Sequence, residues 1–282
     1  MAAQVIMNSI VLGLTLALMG IGLTLIYGIL LVVNFAHGEF YMLGAVFLYY
    51  VVNMAHLGYW GSAVVAIVAV GVLGWILEVL VFRRFHGDLI GGAIAAIALT
   101  VGIESITWEV WGPRTRAVAV PVQGTTHIFG AVITNDRLLM AIVSLVTILA
   151  LTWFIKYHRV GKAMRAVSQD SEAARVQGIS SMRISALAFG LATALAALAG
   201  VLVAPNTFIN PAMGSVPLTF AFIVVIIGGM GSVAGSLIAS MIIGLQQNLT
   251  ALWLGEQWSI CVAFALAIIV LVLSPKGLMG HD

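Results

Sequence analysis

Long apolar runs organise this chain. Seven of them are clear, at 6–33, 40–55, 60–82, 90–111, 138–155, 184–204 and 258–274. A helix needs roughly 20 mainly apolar residues to cross the ~30 Å hydrocarbon layer of a bilayer, so each run reads as a membrane helix. An eighth apolar stretch, 217–248, is irregular: its middle reads Gly228-Gly229-Met230-Gly231-Ser232-Val233-Ala234-Gly235. Glycine at that density is a poor helix interior, so a bend or break is expected there.

Composition agrees with the pattern. Of 282 residues 62% are hydrophobic and 8% charged, with a mean hydropathy of +1.15, whereas a soluble domain carries about 25% charged residues. The fold class is therefore all-α, a polytopic membrane protein with about eight transmembrane segments. Its longest polar connections, 112–137 and 156–183, fall short of the ~50 residues a domain needs, so 1–282 reads as a single transmembrane domain. Residues 1–38 carry no charge and lack the basic start of a cleavable signal peptide, so the first run reads as a retained span. A net charge of +2 gives no reason to expect nucleic acid. One cysteine, Cys261, allows neither an intrachain disulfide nor a cysteine metal cluster.

Orientation follows from the basic residues, because short basic loops stay on the cytoplasmic side. Arg83 and Arg84 follow the third span, and Lys156, Arg159, Lys162, Arg165, Arg175 and Arg183 lie between the fifth and sixth. Both groups fall on one side, the cytoplasm, which puts the N-terminus and the 112–137 loop outside. Lys276 after the last span, and the absence of Lys or Arg from 246–257, fit this map only if 217–248 is a hairpin with both ends outside. A single long tilted span of ~28 helical residues is the alternative.

Four polar segments carry candidate chemistry. In the 156–183 loop, Asp170 to Gln177 can form a short helix, capped by Asp170 or Ser171 and ended by Gly178. Small Ala173 and Ala174, with Glu172 and Arg175, suit docking into a partner's groove; a solvated basic loop is the plainer reading. At 34–45, Asn34, His37 and Glu39 place polar groups at an apolar segment beside Gly38 and Gly44. Either a tight interfacial turn or the lining of a transport path or inner gate accounts for them; a metal site lacks a third ligand. Gly228, Gly229 and Gly231 suit either close helix packing or a break whose freed backbone groups face a cavity. Among the glutamates, Glu78 lies near Arg83 and Arg84 at an interface, Glu109 sits between Trp108 and Trp111, and Glu104 is deeper without an evident partner. No Walker lysine follows any glycine loop, and no nucleophile elbow or carboxylate pair marks an enzyme.

The order Glu172-Ala173-Ala174 followed by Gly178-Ile179 resembles the EAA loop of ABC importer permeases. The segment Asn34-Phe35-Ala36-His37-Gly38-Glu39-Phe40-Tyr41-Met42-Leu43-Gly44-Ala45 resembles the signature of the Liv-type branched-chain amino acid permeases, in particular the H-type subunit. Gly161 to Asp170, Leu198 to Leu202 and Gly228 to Gly235 resemble the same family, so the likeness covers essentially the whole chain. Urea and amide permeases share much of the pattern.

The resemblance implies a permease subunit of an ATP-driven importer in the bacterial inner membrane, forming half of a path for branched-chain amino acids. It implies an M-type permease as companion, two cytosolic ATPases carrying ATP and Mg, and a periplasmic substrate-binding protein. The chain itself would bind no cofactor and would be no enzyme. Glu172, Ala173, Ala174, Arg175 and Gly178 would form the coupling helix. An ion-coupled secondary carrier is the rival from another class, and a structural scaffold a third reading.

Overall fold

Helix α1 (Ala2–Leu30) has no polar face, and every residue from Gly13 to Ile26 is buried. A helix apolar all round belongs at the centre of a bundle, and α1 is that centre. The computed structural model describes residues 2–55 and 57–280. Around α1 lie α2 (His37–Ala55), α3 (Tyr59–Leu80), α4 (Leu89–Trp111), α5 (Asn135–Tyr157) and, after two short helices, α8 (Ser181–Val203). A small antiparallel hairpin, β1 (Thr125–Ile128) and β2 (Ala131–Thr134), precedes α5.

The short helices are α6 (Arg159–Gln169) and α7 (Ser171–Val176). The sequence reading had no helix at α6, although Val160, Met164 and Val167 repeat at helical spacing; Met164 and Val167 pack beneath α7 with Ala174.

Small residues set how closely the inner helices approach. A Cβ on Gly44 would lie 2.6 Å from Ala197 Cα, and one on Gly200 would overlap the Tyr41 carbonyl oxygen. One on Gly71 would meet Ala194 at 3.2 Å. The Gly190 carbonyl oxygen lies 3.3 Å from the same Cβ position, so small residues four apart on α8, Gly190 and Ala194, receive α3.

The 217–248 stretch is a hairpin, not one tilted span. Helix α9 (Ser215–Gly228) and helix α10 (Val233–Trp253) flank a turn in which Gly229 and Gly231 have φ of +98° and +86°. Helix α11 (Ser259–Leu273) then returns to the end of the bundle that holds the turn. There the tail caps it: Leu278 N donates to Ile227 O at 2.8 Å and Met279 N to Gly228 O at 3.1 Å. Gly231 also shares a cleft with Ile155, Met164 and Arg165. The turn, the tail and the basic 156–183 loop therefore occupy one end, the cytoplasmic one by charge.

Among the described residues six helical segments are long and apolar enough to cross a membrane: α1, α3, α4, α5, α8 extended to Asn206, and α11 with the 3-10 turn before it, Glu256–Leu273. The expected count of about eight is not reached by that measure. Helix α9 has only 14 residues, and α2 and α10 carry polar residues, His37 and Glu39 in one and Gln246, Gln247 and Asn248 in the other.

Candidate functional site

Two regions stand out, a short exposed helix at one end of the bundle and an open cavity at the other. At the cytoplasmic end, α7 is defined by its caps. The Asp170 carboxylate accepts from Glu172 N and Ala173 N, both at 2.9 Å, and Gly178 ends the helix at φ +81°, where L side chains are strained. Ala174 turns inward against Met164 and Ile179. Glu172, Ala173, Arg175 and Gly178 are exposed, and so is Val176, at 84%. Arg175 and Glu172 stand 3.8 Å apart on the solvent side.

At the outer end an open cavity of about 360 Å³ enters the bundle between α1, α2, α9, α10 and the 204–214 connection. Met19, Phe208, Met213 and Phe220 form apolar walls, with Thr15, Tyr41, Asn210 and Gln247 as polar groups. The Gln247 amide nitrogen is buried without a hydrogen-bond partner. A second cavity of about 270 Å³, lined by Asn8, Arg137, Asn206 and Asn248, shares Leu12, Thr15 and Val203 with the first.

The residues expected along a path lie deeper. After α1 the chain turns at Leu31, φ +56°, and runs back, so that α2 starts beside the middle of α1: a Cβ on Gly22 would lie 3.0 Å from the His37 ring. Asn34 and His37 are fully buried and Glu39 nearly so, at 6%. Both His37 ring nitrogens, Asn34 Nδ2 and Glu39 Oε2 lack a hydrogen-bond partner. Gly38 abuts the start of α9, where its Cβ would lie 2.6 Å from Gly214 O. Two helix starts thus meet back to back inside the bundle, an arrangement suited to a site or a gate at membrane depth.

None of Asn34, His37, Gly38 and Glu39 lines the outer cavities; their neighbour Tyr41 does. Gly228, Gly229 and Gly231 lie at the cytoplasmic turn, where the tail takes the Ile227 and Gly228 carbonyls. Among the described residues no three His, Cys, Asp or Glu converge as a metal site. Glu104, unpartnered in the sequence reading, accepts from Trp108 Nε1 at 3.3 Å. The sequence reading missed the cavity residues. One signal was available in the polar run Gln246-Gln247-Asn248 inside an apolar stretch, since polar groups at membrane depth are costly.

Comparison with known proteins decides what this architecture is. The family described as "Branched-chain amino acid transport system / permease component" matches residues 5–273. The chain belongs to this family. It is 34% identical to the high-affinity branched-chain amino acid transport system permease protein LivH of Escherichia coli K12, over 99% of this chain and 95% of that one. The corresponding protein of Salmonella typhimurium is 33% identical over the same shares. The protein BraD of Pseudomonas aeruginosa is 30% identical, again over 99% and 95%. The LivM permease of E. coli K12 is 24% identical over 93% of this chain and 67% of that one. No solved structure gives a significant match. The H-type assignment drawn from residues 34–45 therefore holds: the chain is a Liv-type H permease subunit of the inner membrane, a transport protein and not an enzyme.

Proposed function

We propose that this permease forms half of the translocation path of an ATP-driven importer of branched-chain amino acids. An M-type permease is the other half, two cytosolic ATPases sit on the 156–183 loops, and a periplasmic binding protein loads the outer cavity. The observation that carries the reading is the pairing of near-complete LivH likeness with a capped helix that bares Val176, Glu172 and Ala173 to a partner. ATPase closure would push α7 as a rigid lever; α6 and α8 pack against it and would pass the movement to the bundle. Helix α2 and both helices of the α9–α10 hairpin also lie in the bilayer, which makes nine embedded helices, an odd number that keeps the N-terminus outside and Lys276 inside. Their polar groups face protein or cavity, the one setting in which broken helices persist at that depth.

The path would run from the outer cavity past Gly38 and the buried Asn34, His37 and Glu39 to the glycine turn at Gly228, Gly229 and Gly231. Urea or amide transport would need a polar chamber; Met19, Met213 and Phe220 favour an aliphatic cargo. The test is reconstitution in vesicles with and without the companion subunits. Leucine uptake that needs ATP, ATPases and binding protein together is the expected result. Uphill uptake by the isolated chain on an ion gradient would establish the secondary carrier instead.

A further inference from the structure

The second cavity is a polar mouth beside the first, its lining holds donors and acceptors, and the side-chain hydrogen bonds decide which groups serve as each. Gln4 is pinned to β2 by two 2.9 Å bonds with Val132 and donates to Asn8 Oδ1 at 3.3 Å. That contact uses the Asn8 oxygen and leaves its amide N–H groups to the cavity. Arg137 stands beside it, exposed; the two ion pairs among the described residues, Arg83–Glu78 and Arg175–Glu172, leave it out. In the same lining, Asn206 gives its amide nitrogen to the Asp136 carboxylate and to Met140 Sδ, and Asn248 gives its own to Gly244 O at 2.9 Å. Their carbonyl oxygens remain as acceptors. Asp136, only 2% exposed, adds negative potential behind Asn206.

We propose that this mouth is a zwitterion site, binding an α-amino acid by its carboxylate at Arg137 and Asn8 and by its ammonium at the Asn206 and Asn248 carbonyls, with the side chain in the chamber of Met19, Met213 and Phe220. The assignment rests on the importer reading above and adds to it the groups that recognise the cargo. A guanidinium and an amide N–H in the lining match a carboxylate. Two amide oxygens backed by a carboxylate match an ammonium. The two cavities adjoin, sharing Leu12, Thr15 and Val203 in their linings, so the charged lining lies beside the apolar chamber. An aliphatic amide or urea would leave Arg137 without a counter-charge.

Thr15→Cys, in a Cys261→Ser background, places a thiol in the lining that the two cavities share. In vesicles holding the complete complex, modification by a membrane-impermeant maleimide is measured with leucine, with leucinamide, which lacks the carboxylate, or with 4-methylpentanoate, which lacks the ammonium. Leucine should slow labelling, and each analogue should need a concentration on the order of tenfold higher, the effect of losing one charge-assisted hydrogen bond. Arg137→Gln should bring leucine and leucinamide within about twofold, and Asn206→Leu should do the same for leucine and 4-methylpentanoate. Arg114→Gln, on the same outer face, should keep both preferences.

Equal protection by all three compounds, or none by leucine, overturns the site. So does unchanged discrimination in Arg137→Gln. Loss of ATP-driven leucine uptake by the unaltered complex is a separate readout and strikes the importer reading instead.

Discussion

Gly44 and Gly200 stand where α2 and α8 come closest, each facing backbone of the other helix. Helix–helix association in a bilayer has little hydrophobic drive and depends on such close packing, so a side chain here cannot be absorbed by a neighbour's rotamer. Gly44→Leu should destabilise the protein by about 1–3 kcal/mol and lower its unfolding midpoint in detergent by several degrees. Gly102, with nothing within 4 Å of its Cβ position, is the control: Gly102→Ala should be neutral or stabilising, by up to ~1 kcal/mol. Residue types alone showed small residues in both helices. Which glycine meets backbone and which meets open space depends on the crossing point, and no local pattern contains it.

Helix α7 is nearly all visible in the sequence, since its start and stop lie in adjacent residues: Asp170 caps Glu172 and Ala173, and Gly178 adopts the left-handed turn that ends it. What the chain order did not show is that Ala174 alone faces inward while Val176 is bared. Gly178→Leu would force an L side chain into the left-handed region at ~1–2 kcal/mol, on the order of tenfold in the population of the docked turn. In the reconstituted complex it should reduce uptake by about that factor while ATP hydrolysis persists. Glu172→Lys, which reverses a charge on the bared face, should act in the same direction. Normal uptake in both variants would remove the coupling role. The hairpin shows the opposite case. Glycine content announced a break in 217–248, but whether the chain bent back or continued across was settled by the positive-φ turn at Gly229 and Gly231 and by the close approach of Gly228 to Gly235.

Taken together, the charge map and the contacts give the molecule two distinct ends. Single cysteines in a Cys261→Ser background test them: Phe129→Cys, at the exposed tip between β1 and β2 (95% exposed), and Gln247→Cys should react with an impermeant reagent only from outside. Val176→Cys should react only from the cytoplasm. Labelling of Gln247→Cys from the cytoplasmic side alone would reverse the cavity's assignment.

Membrane class, helical fold, side preference of the basic loops and the ends of α7 were legible from order and composition, because each depends on a property summed over a run or held within one helical turn. The outer cavity was not. Thr15, Tyr41, Arg137, Asn206 and Gln247 come from separate helices and a connection, and they line two adjoining cavities only after α1 is enclosed and the 204–214 connection is laid beside it. Buried His37 and Asn34 follow the same logic: their local sequence allows a surface turn, and packing of the 31–36 segment against α1 places them inside. Sequence order specifies periodicity and caps; which distant groups face one another is decided by how the helices cross.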